Sequence, residues 1–156
     1  MATSALLPAS VNSCCSTDPT KPALKAPCPS CGKASVLVSK RLVLQHALSP
    51  WLVADTGSDY YFCETPTCEL IYFDQTGNGY SRASVRTAVG LKETGPGAVV
   101  CYCFGVTQAL AQSDTRIRQF VIDQTKMGLC ACDVRNPSGQ CCLKHFPRHN
   151  KDDIKE

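Results

Sequence analysis

The chain has 156 residues, a formal net charge of +3, and lysines and arginines that are scattered among acidic residues. This mild, unclustered charge predicts neither a nucleic-acid-binding nor a membrane-binding surface, and no apolar run approaches the length of a membrane-spanning helix. The sequence has twelve cysteines but only five Phe, five Tyr and one Trp, so two modules could not each bury a large core without a metal to hold them together.

Residues 1–26 are rich in Ser, Thr, Ala and Pro, which predicts a flexible arm. The segment has neither a basic start nor an uninterrupted apolar run, so we expect no secretory signal peptide and a cytoplasmic protein. In such a reducing compartment, closely spaced cysteines favour metal binding over disulfides.

The next segment, residues 27–92, is predicted to be a small β-rich module of the zinc-ribbon type. Strand-like residues occupy 35–39, 59–63 and 69–74, and the last two flank a turn at 64–67, which predicts a hairpin with cysteines at its bend. Residues 43–48 predict a short helix before Pro50, with Trp51 as its packing partner.

Two cysteine pairs in this module predict a zinc site. Cys28 and Cys31 are separated by two residues and followed by Gly32, a spacing with which two thiolates can bind one ion while glycine lets the backbone turn back. Cys63 and Cys68 lie at the hairpin bend. Four thiolates from two loops fit tetrahedral zinc in a closed, structural site without an open position for water.

The run Lys-Glu-Thr-Gly-Pro-Gly at 92–97 predicts a linker, and residues 98–149 predict a small helical module. Thr107 is placed to cap a helix that runs through Ala111. A second capping residue starts a helix over 115–126, and a glycine ends that helix. A last short helix is expected from near Cys141 to Pro147. The capping and terminating residues of the longer helix are Asp114 and Gly128, and its predicted inward face is Ile117, Phe120, Val121 and Gln124.

This second module offers six thiolates, in pairs at Cys101/Cys103, Cys130/Cys132 and Cys141/Cys142. A CxC ahead of a helix would place both sulfurs near unpaired backbone N–H groups, which can hydrogen-bond inorganic sulfide and moderate its charge. An iron-sulfur centre is therefore indicated, although spacing alone leaves a second zinc site open.

A family resemblance adds to this interpretation. VCYCFGVT, a two-helix connection and a distal cysteine cluster resemble the [2Fe-2S] domains of the bacterioferritin-associated ferredoxin type. The run from about Pro27 to His145, with CPSCG, DYYFCETPTCELIYF, VCYCFGVT and NPSGQCCL in that order, is similar to the N-terminal part of the CopZ-type iron-sulfur copper chaperones. The resemblance implies an α+β chain that carries one zinc ion and one [2Fe-2S] cluster.

Carried over by motif, the family's metal ligands fall on particular cysteines. Cys130 and Cys141 are spare thiols under this assignment, each close enough to exchange with its neighbour. The implied zinc ligands are Cys28, Cys31, Cys63 and Cys68, and the implied cluster ligands are Cys101, Cys103, Cys132 and Cys142.

Fuller members of that family continue into a copper-binding domain with its own CxxC, whereas this sequence ends at Glu156. The vicinal pair Cys14–Cys15 has two open interpretations: soft ligands for Cu(I) or a similar ion, or incidental thiols. We expect a metallochaperone-like protein rather than an enzyme, since no phosphate-binding loop or nucleophile motif occurs. Expected partners are a soft metal ion and a metal-transporting or redox protein. A ferredoxin-like electron carrier and a zinc-stabilised interaction module are the alternatives.

Overall fold

The computed structural model describes residues 23–55 and 57–148, so Cys14 and Cys15 lie outside the described residues. No helix within these ranges is long and apolar enough to cross a membrane. The chain mixes helices with antiparallel sheet, which confirms the predicted α+β class.

The first part of the chain is an antiparallel sheet whose strands follow one another in sequence order. Alternate residues of its middle strand point to opposite faces, so Tyr60 and Phe62 pack with α1 while Tyr61 packs with Phe73 on the side of the cysteines. Every side chain of this strand is therefore buried. The elements are β1 (Lys25–Pro27), β2 (Ala34–Val38), α1 (Lys40–His46), β3 (Tyr60–Phe62), β4 (Leu70–Asp74) and β5 (Gly79–Ser81).

The second part is built from a two-stranded ribbon and short helices. The Thr107 hydroxyl accepts a hydrogen bond from the Leu110 amide, and the Asp114 carboxylate accepts one from the Arg116 amide, so both predicted caps form. The elements are β6 (Val99–Cys101), β7 (Val106–Thr107), α2 (Gln108–Ser113), α3 (Thr115–Lys126) and α4 (Cys132–Arg135), followed by a 3-10 turn at Cys142–His145.

Side chains of α1 and of strand β4 hold the second part in place through its backbone carbonyls. The buried His46 places Nε2 at 2.9 Å from the carbonyl of Val134 in α4. The buried Tyr72 hydroxyl donates to the carbonyl of Pro137 at 2.5 Å. Because both carbonyls lie between Cys132 and Cys142, these contacts fix the segment that joins two predicted cluster ligands.

Several local expectations differ from the structure. The first helix begins at Lys40 rather than at residue 43, because Ser39 caps it. Trp51 is 78% exposed and is not a core residue, since Leu42 and Val43 already fill that side of the sheet. Phe120 is 49% exposed and packs edge-on against Phe104, so the buried face of α3 is narrower than predicted.

The module boundaries 27–92 and 98–149 stay a prediction, with two local differences. Strand β1 begins at Lys25, inside the segment predicted to be an arm. Lys92, predicted to start the linker, is buried at the end of a 3-10 turn, Gly90–Lys92, that packs against β6. The short helix α4 was not predicted at all, because four residues give no usable periodicity.

Candidate metal centres

Four cysteines of the first part converge from two loops. Their Sγ atoms all lie within 4.8 Å of one another, with Cys28–Cys68 at 3.9 Å and Cys31–Cys63 at 3.6 Å. Four sulfurs bound tetrahedrally to zinc at about 2.3 Å would be separated by about 3.8 Å. The donor set and its spacing therefore fit a zinc ion.

Local backbone geometry explains how each loop presents its pair of sulfurs. In the first loop, the Gly32 amide donates to the Cys28 carbonyl at 2.8 Å, and Gly32 has a φ of +72°, which favours glycine. In the second loop, the Cys68 amide donates to the Thr65 carbonyl at 3.1 Å. Strands β1 and β2 carry the first loop, and strands β3 and β4 carry the second, so sheet pairing brings the loops together.

The environment of these thiols differs from one to the next. Burial raises the pKa of Cys28 to about 12, while a hydrogen bond with the Thr65 hydroxyl lowers the pKa of Cys31 to about 6. Only Cys31 of the four is partly exposed. Because metal binding requires all four thiols to ionise, zinc binding must release protons and weaken as the pH falls.

A buried lysine beside this site was missed by the sequence prediction. Lys92 is 4% exposed, and its Nζ donates to the carbonyls of Thr65 at 2.8 Å and Cys68 at 3.0 Å. Arg82 braces the same region, since it donates to the carbonyls of Lys92 and Pro66. A lysine next to Glu-Thr-Gly-Pro-Gly has the sequence signature of a solvated linker, so no local signal indicated this burial.

The cluster ligands assigned by resemblance are also brought together, as two pairs. Cys103 and Cys132 have their Sγ atoms 3.7 Å apart. Cys101 and Cys142 are buried in one apolar cluster, against which Cys103 and Cys132 also pack, and the interaction with Cys142 lowers the pKa of the Cys101 thiol to about 6. Cys130 is half-buried and lies two residues before Cys132, and Cys141 is exposed and lies next to Cys142.

A backbone amide contacts one of these sulfurs: the Ala131 amide donates to the Cys103 sulfur at 3.2 Å. This donor comes from the residue that precedes α4 rather than from the start of α2, because β7 separates the CxC from α2.

The chain shows clear similarity to CopZ proteins. Residues 25–86 match the sequence family zf_CopZ, described as "Zinc binding domain". The copper chaperone CopZ of Archaeoglobus fulgidus is 32% identical over 124 residues, which cover 78% of this chain and 60% of that protein. The X-ray structure of the N-terminal domain of that CopZ aligns with a TM-score of 0.64 and 28% identity, over 79% of this chain and all of that domain.

These similarities show that residues 25–86 resemble a zinc-binding domain of the CopZ type. The family match covers all four sulfurs of the zinc site but stops before Lys92 and before the second group of cysteines. The structural likeness extends over most of the chain. The chain spans only 60% of the length of the curated relative that it matches.

Proposed function

We propose that this chain is a metal-handling redox protein of the copper-chaperone type. Its zinc ion stabilises the first module, and the second module holds a [2Fe-2S] cluster through Cys101, Cys103, Cys132 and Cys142. The observation that carries this proposal is that those four cysteines pack into one cluster, with the Cys103 and Cys132 sulfurs 3.7 Å apart and the Ala131 amide donating to the Cys103 sulfur.

The spacing of the two pairs supports a binuclear rather than a mononuclear centre. The 3.7 Å separation within the Cys103–Cys132 pair is close to the roughly 3.8 Å expected for two thiolates on one tetrahedral metal ion. Among the described residues, however, only the first-module cysteines form a set of three or more ligands that all lie within 4.8 Å. Each pair of the second module would thus bind one iron.

When bound, a thiolate-ligated [2Fe-2S] cluster supplies one-electron chemistry. The chain's own contribution is to hold the four sulfurs and to direct the Ala131 amide N–H group at one of them, which offsets negative charge in both oxidation states. We propose that a redox partner supplies the electron and that Cu(II) accepts it, so that the partner is oxidised and copper leaves as Cu(I). Thiolates prefer that soft ion.

The relationship to a copper chaperone favours copper, or another soft metal, as the cargo. A metal-transporting protein is the corresponding proposed recipient. We propose that the protein is not an enzyme. A ferredoxin-like carrier that passes electrons to a protein and never to a metal is the competing function.

Anaerobic purification followed by metal and sulfide analysis tests this proposal. We expect one zinc, two irons and two sulfides per chain, with a visible spectrum that reduction bleaches. Cys103→Ser and Cys132→Ser should lose or shift that spectrum, whereas Cys130→Ser serves as the matched control and should keep it. A colourless protein with two zinc ions would remove the redox function, and electron transfer to proteins but not to Cu(II) would favour the ferredoxin function.

A further inference from the structure

The Lys92 ammonium is buried and has no carboxylate partner among the described residues. A buried lysine is costly unless its charge is compensated. The acidic residues that flank it in space or sequence, Glu69 and Glu93, pair instead with Arg82 at 3.4 and 3.5 Å. Within the described part of the chain, the Nζ of Lys92 is held only by the carbonyls of Thr65 and Cys68. Carbonyl dipoles satisfy its N–H groups but do not neutralise a full charge.

The zinc site is the source of negative charge adjacent to this ammonium. Four thiolates around one Zn²⁺ leave two net negative charges, and three of the four cysteines are buried away from solvent. Cys68 is itself a zinc ligand, and its carbonyl lies 3.0 Å from Lys92 Nζ. With zinc bound, two buried charges of opposite sign would therefore lie beside the same loop.

We propose that Lys92 is the charge partner and positioning residue of the zinc site. This inference rests on the proposed zinc binding and extends it to a residue beyond the matched domain, residues 25–86. Its two hydrogen bonds, to the carbonyls of Thr65 and Cys68, fix the loop between Cys63 and Cys68. Its positive charge lowers the energy of the thiolate-bound site, which slows the release of zinc.

Lys92 also links the zinc loop to the second module. The same 3-10 turn places Gly90 so close to β6 that its amide donates to the Tyr102 hydroxyl at 2.7 Å. That hydroxyl in turn donates to the carbonyl of Ala88. The turn that delivers the ammonium to the zinc loop is thus anchored beside Cys101 and Cys103.

Three substitutions at Lys92 distinguish the effect of its charge from the effect of its hydrogen bonds. Lys92→Met removes both the charge and the hydrogen bonds, Lys92→Gln keeps a hydrogen-bond donor without the charge, and Lys92→Arg keeps the charge. Lys40→Met is the control, because Lys40 pairs with the exposed Asp55 at the protein surface. The assay is the rate at which zinc passes from the full-length, metal-loaded protein to an excess of a chromogenic chelator at constant pH.

We expect zinc release to accelerate at least about tenfold in the Met and Gln variants, which corresponds to about 1.4 kcal/mol. The Arg variant and the Lys40 control should stay near the parent rate. In cobalt-substituted protein the thiolate-to-metal charge-transfer band should move to lower energy in the Met and Gln variants only. A loss of packing alone would not produce this pattern.

The remaining outcomes overturn the proposal in different ways. If the Gln variant matches the parent, or if the Gln and Arg variants release zinc equally fast, the charge of Lys92 has no role. Should the Met variant fail to fold, the comparison of Gln with Arg still decides the question. A parent protein that binds no zinc would instead refute the proposed function of the site itself.

Discussion

The Tyr72 hydroxyl provides a direct test of whether the sheet supports the second metal centre. Its hydrogen bond to the Pro137 carbonyl joins residues 65 apart in sequence, and both groups are buried. Tyr72→Phe removes this hydrogen bond but keeps the aromatic ring, whose centroid lies 5.7 Å from that of the Phe62 ring. The substitution therefore leaves the Pro137 carbonyl buried without its partner.

Leaving one buried hydrogen-bond acceptor unsatisfied costs about 1–3 kcal/mol. The cost falls on the segment between Cys132 and Cys142, because Pro137 lies in the turn that connects them. If that segment must open before iron is lost, the opening equilibrium rises roughly 5- to 150-fold, since about 1.4 kcal/mol is a factor of ten. The zinc site lies on the other face of the sheet and should be unaffected.

The assay is the bleaching of the visible spectrum of the anaerobic protein in the presence of an iron chelator, with zinc measured in parallel. Tyr60→Phe is the matched control, because the Tyr60 hydroxyl also donates to a carbonyl, that of Ala54 at 2.6 Å, but within the first module. We expect faster bleaching only in Tyr72→Phe. Bleaching at the parent rate, or equal acceleration by Tyr60→Phe, would refute the reasoning.

Three further predictions concern the zinc site, the packing between the two parts and pH. Cys63→Ser should release zinc and unfold the first module, as metal analysis and circular dichroism would show; full zinc retention would contradict the assignment. A Cβ on Gly90 would lie 1.9 Å from the Val99 carbonyl oxygen, so Gly90→Ala should lower the melting temperature, whereas Gly97→Ala, with open space around it, should not. Burial lowers the pKa of His46, so the stabilising contribution of the neutral imidazole is present above the unfolded pKa of about 6.5 and is lost as the pH falls. In denaturant titrations, His46→Gln should therefore reduce the loss of unfolding free energy between about pH 7 and 5. If the pH dependence of the unfolding free energy is unchanged, His46 is not its cause.

Local signals were sufficient to predict the zinc site and most of the secondary structure. Two-residue spacing in Cys28–Cys31, glycine after the second cysteine, and cysteines at a hairpin bend each act over fewer than about ten residues. The caps of α2 and α3 are equally local. Such features can be recognised from residues that are neighbours in the sequence. Sheet pairing then brings the two cysteine loops together.

Contacts between distant residues could not be predicted in this way. The His46–Val134 contact joins residues 88 apart, and a buried histidine has no sequence pattern that distinguishes it from an exposed one. Lys92 was expected in a solvated linker for the same reason. Trp51 shows the converse case, since its size favours burial but neighbouring Leu42 and Val43 already occupy the core.

The arrangement of the core predicts that the proposed second metal centre depends on the first. The longest helix, α3, buries only Val121 completely, and the apolar cluster around it includes the thiols of Cys101 and Cys142. So small a core needs additional support, and the first module supplies it through His46 and Tyr72. Those side chains belong to β4 and to the helix that packs on the sheet, and the loops of that sheet carry the four cysteines of the zinc site. We therefore expect bound zinc to support the proposed second centre through the packing of the sheet.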